Sequence, residues 1–240
     1  MGRAIPVVLG KWRRALVIGL IIGGLPAGAR ALAAPPVEQP ADLSFDIVRN
    51  GSVIGQHTTR FSTAGDHLVA TIVIRILVKF AGIPVFRYEH DSREEWAGGR
   101  LVALDTRTND DGDRVSVTAR ADGDRLRIDG QAGRLFLAGD AIPTSYWNHA
   151  LVAATTKIDT ERGIAIDLQV GPPAPDTVEV DGKPMATQRY EVTGKFDMTW
   201  WYLPNGEWAK LEFRGKDGTP IIYVRRNQDG AAATAPGPAK

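Results

Sequence analysis

Six dipeptides, Asn50-Gly51, Asp111-Gly112, Asp122-Gly123, Asp181-Gly182, Asn205-Gly206 and Asp217-Gly218, punctuate the chain between segments rich in alternating apolar and polar residues. Asn or Asp followed by Gly tolerates the positive φ that tight hairpins require, so their recurrence commits most of the chain to strands that fold back on their neighbours. No fixed-period repeat accompanies them. Only residues 143–152 (PTSYWNHALV) have helical character: Thr144 or Ser145 can cap the segment, and Trp147 and Leu151 share a face at i,i+4. One short helix is too small to cover a large sheet. The strands must then curl to bury their apolar face, and the expected fold is mainly β: an antiparallel meander curling into an open or nearly closed barrel, with one short helix.

Charge pairing sets the register of the middle hairpins. A three-residue loop at Gly98-Gly99-Arg100 puts Asp91 opposite Arg107 and Arg93 opposite Asp105, whereas a one-residue slip would face Val102 and Leu104 with charged residues. On the other side of the same strand, a loop over residues 80–84 sets Arg75 opposite Glu89 and Ile76 opposite Tyr88. Asp111-Gly112 then places Val115, Val117 and Ala119 opposite Thr108, Thr106 and Leu104. In the last third, a two-residue turn at Asn205-Gly206 pairs Met198 with Phe213, Trp200 with Leu211 and Tyr202 with Ala209 on one face. Trp200 is then core, while Trp201 and Trp208 emerge on the reverse face, Trp201 beneath the Lys210 ammonium as a cation–π pair.

The ends read differently from the middle. Arg3, Lys11, Arg13 and Arg14 precede an apolar run over residues 15–25, and Ala31-Leu32-Ala33 has the small-x-small pattern of a processing site. Residues 1–33 are therefore expected to be a cleaved signal peptide; an uncleaved anchor is the alternative. Residues 34–42 form a Pro-rich lead-in, residues 43–226 a single antiparallel β domain, and residues 227–240 a disordered Ala/Pro/Gly tail. The 29 Lys+Arg fall to 24 without the leader, against 28 Asp+Glu, so the mature chain carries a net charge of −4. With no basic cluster, that balance excludes the electrostatic footprint of a nucleic-acid binder. No cysteine is present, which excludes disulfides, thiolate metal sites and a lipid-modified N-terminal Cys. An exported, cysteine-free chain fits the periplasm, with membrane contact only through the leader before cleavage.

The central strand, residues 86–96 (FRYEHDSREEW), is the most informative. Alternation sends Tyr88, His90, Ser92, Glu94 and Trp96 to the face that neighbouring strands fill with Ile72, Ile74, Ile76, Val102 and Leu104. Such a polar file among aliphatic residues must find internal hydrogen bonds, water or a wet cavity, because a buried polar group without a partner costs roughly 1–3 kcal/mol. Two readings follow: a pocket wall carrying Tyr88, His90 and Glu94, or a hydrogen-bonded network that only specifies the fold. Trp96, Trp147, Trp200 and Tyr202 are large rings suited to an apolar cavity or to a core.

His90 and Glu94 have the i,i+4 spacing of a helical metal pair, but on a strand they stand about 13 Å apart at ~3.3 Å per residue. No metal or cofactor is expected. Nor is a catalytic residue: there is no Gly-x-Ser-x-Gly, no Ser-x-x-Lys and no Cys. The loop Thr108-Asn109-Asp110-Asp111-Gly112-Asp113 has the composition of a calcium loop, yet Ala119 stands where a bidentate Glu is needed, and it reads as a turn.

The ordered motifs SFDIVRNGSVIGQH, FRYEHDSREEWAGGRLVALDTRTNDDG, PTSYWN and WWYLPNGEWAKLEF resemble an uncharacterised family of exported proteobacterial proteins, a domain of unknown function, over roughly residues 43–225. The family's motif usually has His where this chain has Tyr146, and the resemblance implies no catalytic residue. More loosely, the layout is similar to the half-barrels of periplasmic lipoprotein carriers, a likeness of fold that does not transfer function.

The expectation is thus a periplasmic, non-enzymatic protein that binds or carries an apolar or amphipathic small molecule, with Tyr88, His90 and Glu94 orienting its polar end and Trp96 contacting its apolar part. A second expectation is an envelope interaction or assembly protein that docks a partner through Trp201 and Trp208. A third is an enzyme using Glu94 and His90.

Overall fold

The computed structural model describes residues 39–215 and 217–226; the expected leader, most of the Pro-rich lead-in and the expected tail lie outside the described residues. The first eight strands are β1 (Leu43–Arg49), β2 (Ser52–Ala64), β3 (His67–Phe80), β4 (Ile83–Ala97), β5 (Arg100–Asp110), β6 (Asp113–Asp122), β7 (Arg125–Gly130) and β8 (Gly133–Ala138). They form an uninterrupted antiparallel meander. After a crossing segment come β12 (Leu168–Val170), β13 (Ala174–Val180), β14 (Lys183–Gly194), β15 (Met198–Tyr202), β16 (Trp208–Arg214) and β17 (Pro220–Arg225).

All fourteen strands share one sheet, because β17 pairs with β1 and joins the last described strand to the first. The order runs β12-β14-β15-β16-β17-β1-β2-β3-β4-β5-β6-β7-β8, with β13 also on β14. The sheet is not closed: β8 and the β12/β13 pair are its two unbonded borders. One apolar cluster nevertheless includes Phe45 and Ile72 from one stretch of sheet, Leu104 and Ile128 from another, and Trp200 and Leu211 from the far side. A sheet that brings such distant strands to one core is curled around it.

The turns follow local chemistry. Asn50 (φ 50°) and Gly51 (φ 72°) both adopt the left-handed conformation, as do Asp111 with Gly112 and Asp181 with Gly182, which is the requirement of a two-residue hairpin turn. The charge-derived registers hold: Asp91 faces Arg107, Arg93 faces Asp105, Arg75 faces Glu89 and Ile76 faces Tyr88. The ion pairs themselves run to other neighbours, Arg75 to Asp91 at 2.6 Å and Arg120 to Asp105 at 2.8 Å.

Two expected loops are shorter than the spacing predicts. Gly98-Gly99 alone turns β4 into β5, and a bulge at Glu95/Trp96 absorbs the extra residue, so that Leu101 rather than Val102 lies opposite Trp96. Likewise Ala81-Gly82 turns β3 into β4, with a bulge at Val78/Lys79. A bulge adds one residue to one strand and locally preserves the ladder on either side.

Between β8 and β12 the chain crosses the inner side of the sheet. It carries β9 (Ile142–Pro143), a 3-10 turn (His149–Val152), β10 (Lys157–Asp159) and β11 (Ile164–Ile166), a small sheet of order β11-β10-β9. The short helix expected over residues 143–152 is confined to that 3-10 turn, and its cap is Asn148, whose side chain accepts from Ala150 N at 3.0 Å. Parallel pairing of Ile142 and Pro143 with Lys157 and Ile158 holds the start of the segment extended. Tyr146, at φ 67°, then breaks any helical path.

The β15–β16 turn corrects a larger point. Gly206 N donates to Leu203 O and Leu203 N to Glu207 O, so the turn is centred on Pro204-Asn205, where the fixed φ of proline suits the second position. Met198, Trp200 and Trp201 pair as expected with Phe213, Leu211 and Lys210, but a bulge makes Tyr202 face Trp208 instead of Ala209. Trp208 therefore joins Tyr202 and Trp200 on the inner face, fully buried, with its ring 4.0 Å from that of Phe45. Trp201 does leave by the reverse face with Lys210 Nζ 4.3 Å from its ring. It is only 6% exposed, because Val178 and Val180 cover it and its Nε1 donates to Asp176 at 2.8 Å.

These positions carry opposite energetic signatures. Trp208→Ala should cost about 3–5 kcal/mol by opening a cavity among Phe45, Tyr146 and Tyr223, whereas a surface tryptophan would cost within about 0.5 kcal/mol. The urea midpoint of the variant measures the difference.

Candidate functional site

Alternation along β4 points Tyr88, His90, Ser92, Glu94 and Trp96 inward, and their partners on β3 are Ile76, Ile74, Ile72, Ala70 and Leu68. On β5 the same file meets Asp110, Thr108, Thr106, Leu104 and Leu101. His90, Ser92, Glu94 and Trp96 are buried, with Glu94 at 0% exposure; Tyr88, nearer the strand's open end, is partly covered.

The file divides into two hydrogen-bonded groups. At one end His90 Nδ1 lies 2.8 Å from Thr108 Oγ1, and Thr106 Oγ1 donates to Thr160 O of the crossing segment at 2.8 Å. At the other end Glu94 Oε2 accepts from two indoles, Trp96 Nε1 at 3.1 Å and Trp147 Nε1 at 2.9 Å. Those two rings meet edge to face at 5.5 Å, and Phe61 packs against Trp147 at 5.0 Å. His90 and Glu94 thus have separate partners and do not assemble an acid–base pair. Among the described residues no three His, Asp or Glu side chains converge as a ligand set.

Burial raises the Glu94 carboxyl above its ordinary value, opposed by hydrogen bonding from Trp147, Ser145 and Trp96. Desolvation lowers His90 from 6.5 to about 4, and lowers His57 to about 3 with a further contribution from His90. Both imidazoles are therefore neutral at pH 7. Tyr88 is pushed upward by burial and then by Glu161, so its phenol keeps its proton.

Several inward polar atoms lack a hydrogen bond of good geometry in the protein: Glu94 Oε1, Ser92 Oγ, Ser145 Oγ, His57 Nδ1 and Trp200 Nε1, although Ser145 lies close enough to the Glu94 carboxyl to ease its burial. Each sits on or against the inner face. Two clefts lie elsewhere. One of about 610 Å³ lies where Val152, Lys157, Ile166 and Leu168 meet, and one of about 320 Å³ lies among Glu89, Asp91, Arg107 and Asn109. Neither is lined by a residue of the β4 file, whose Glu94 end is covered by Trp147.

Sequence reasoning brought Tyr88, His90, Glu94 and Trp96 to one face, and they share it. It did not pair Trp147 with Glu94, it assigned Ser145 to a helix cap, and it did not single out His57. His57 is in fact enclosed at 0% exposure by Phe45, Trp208 and Tyr223. The available signal was PTSYWN itself, where hydroxyls and two large rings occur together in a connection of otherwise modest hydrophobicity.

The family model described as a domain of unknown function (DUF6134) matches residues 45–226. No curated protein matches the chain. A solved structure, a beta-barrel-like protein of domain of unknown function DUF1849 from Brucella abortus, superposes with a TM-score of 0.52 at 11% identity, covering 77% of this chain and 94% of that one. The likeness is one of fold.

The buried imidazoles make stability sensitive to acid. Their folded values lie below the ordinary 6.5, so their contribution is complete above about pH 6.5 and is lost as the pH falls toward about 4 and about 3 respectively. Glu94 has the opposite sign: its contribution is complete below 4.5 and is lost as the pH rises through its raised folded value. Between about pH 7.5 and about pH 5, wild type should therefore lose about 2 kcal/mol relative to His57→Phe. Chemical denaturation of both proteins at the two pH values measures that difference.

Proposed function

The chain belongs to the DUF6134 family, and from that premise we propose that it is an exported, periplasmic, non-enzymatic protein that binds or carries an amphipathic small molecule within its curled sheet. The observation that carries the reading is the set of polar atoms without a hydrogen bond of good geometry on an otherwise apolar inner face: Glu94 Oε1, Ser145 Oγ and Ser92 Oγ. Leaving each unpaired costs about 1–3 kcal/mol, a cost that a polar group arriving from outside removes.

The chemistry of those atoms narrows the class. Glu94 Oε1 accepts when ionised and donates when protonated, the form that burial favours, and the two hydroxyls both donate and accept, so the polar end of the ligand is a small neutral group able to do both, as in an alcohol or an ester with a free hydroxyl. Trp96, Trp147 and Phe61 supply the apolar wall.

Access requires the crossing segment to move. Its residue Tyr146 holds a left-handed φ of 67°, a conformation that costs a non-glycine residue about 1 kcal/mol and is relieved when the segment lifts. The half-barrel carriers to which the layout is similar hold acyl chains against a concave sheet, and the leader-like pattern of residues 1–33 supports the export assignment.

Organic extraction of protein purified from the cells that export it, followed by mass spectrometry, tests the proposal. A lipid-like species should be recovered in proportion to protein. Glu94→Gln, which preserves the shape and one carbonyl acceptor, should lower its recovery about tenfold, the loss of one good hydrogen bond. Repeated extraction of wild type that yields no such species overturns the proposal.

A further inference from the structure

The β3–β4 hairpin extends beyond the sheet that supports it. Pairing of β3 with β2 begins only at Ile76↔Gly55, and pairing of β4 with β5 only at Tyr88↔Asp110. Ile83 therefore stands five residues past the last β5 partner, about 16 Å at ~3.3 Å per residue. This free ribbon is apolar at its end: Phe80 is 76% exposed, Ile83 67% and Val85 54%, with Val53 of β2 at 59% on the same border. Residues 79–85 (KFAGIPV) are all exposed. Monomeric proteins seldom leave such a cluster in water without a use for it.

Three observations select the occupant. Phe80 and Ile83 face one another on one side of the ribbon and the half-buried Leu77 leaves by the other, so a flat protein surface could cover only one side, whereas insertion into a soft medium covers both. Pro84 removes a donor from β4, and the bulge opposite Val78/Lys79 leaves Val85 of the same strand unpaired; both devices discourage the addition of another strand at the β4 edge, whether from a partner or from a second copy. Finally, residues 76–88 contain Lys79 and Arg87 but no Asp or Glu. Carboxylates stand only at the base, where Glu89 Oε1 lies 3.9 Å from the Arg87 guanidinium and Asp111 Oδ1 accepts from Arg87 N at 3.3 Å; Lys79 is the charge at the tip itself.

We propose that this hairpin tip is a membrane-docking element: Phe80, Ile83 and Val85 enter the interfacial region of a bilayer while Lys79 meets anionic phospholipid headgroups. Such elements bury their apolar residues about 5–10 Å into the headgroup boundary, a depth the 16 Å overhang reaches at ~3.3 Å per residue without bringing the sheet into contact. Docking is peripheral and reversible. It places one end of the curled sheet at a lipid surface and is independent of what the interior holds.

The chain has no cysteine, so Phe80→Cys carries a single nitrobenzoxadiazole label at the tip, and Ala64→Cys carries one at the end of β2, beside His67 at the far end of β3. With vesicles of phosphatidylcholine and phosphatidylglycerol, the label at residue 80 should shift to the blue and brighten while that at 64 does not change. Lys79→Glu should weaken binding to these vesicles more than about fivefold, with an unaltered thermal midpoint because residue 79 is exposed. No spectral change at residue 80 overturns the proposal, as does an equal change at both positions. A change at residue 80 that follows protein concentration without vesicles also overturns it, in favour of self-association.

Discussion

A curled sheet must fill its own concavity, and here the filling is done by the connection that bridges its open seam. Ile142, Leu151, Ile158 and Ile166 of that connection belong to the same apolar cluster as Phe45, Leu104 and Trp200 of the wall. Its polar groups tie it down: Trp147 donates to Glu94, Thr106 donates to Thr160 O, and Tyr202 donates its hydroxyl to Tyr146 O at 2.9 Å. The wall gives the connection a surface to pack on, and the connection keeps water from the wall. Neither has a complete core alone.

This mutual dependence explains why the inner file of β4 can be polar. Glu94 tolerates full burial because two indole N–H groups reach one of its oxygens, and His90 tolerates it by remaining neutral beside the Thr108 hydroxyl. A file of this kind fixes the register of β4 against both neighbours, since a one-residue slip would turn Glu94 outward and Glu95 inward. The network therefore specifies the fold.

Much of the sheet was legible because its determinants are local. Asn-Gly and Asp-Gly turns require positive φ, and opposite charges on facing strands select one register, as Asp91/Arg107 and Arg75/Glu89 do. What escaped was non-local or depended on a choice between turns. Trp208 changed faces because Pro204 recentred a turn by one residue and a bulge carried the offset into β16. Trp201 emerges as expected, but β13, distant from it in sequence, covers it. The Trp147–Glu94 bond spans 53 residues, and no periodicity in either segment announces it.

The pairing of β1 with β17 has a further meaning for how the molecule is made. The first strand finds one neighbour at once in β2, but its other neighbour, β17, is the last of the described strands. Joining the two halves of the wall is therefore the pairing of greatest separation among the described strands, the kind that forms slowly. Until β16 and β17 are in place, Phe45 and Ile47 lack Trp208 and Tyr223, and the polypeptide presents an unfinished, sticky ribbon. A chain built this way gains from being held unfolded until those strands are available.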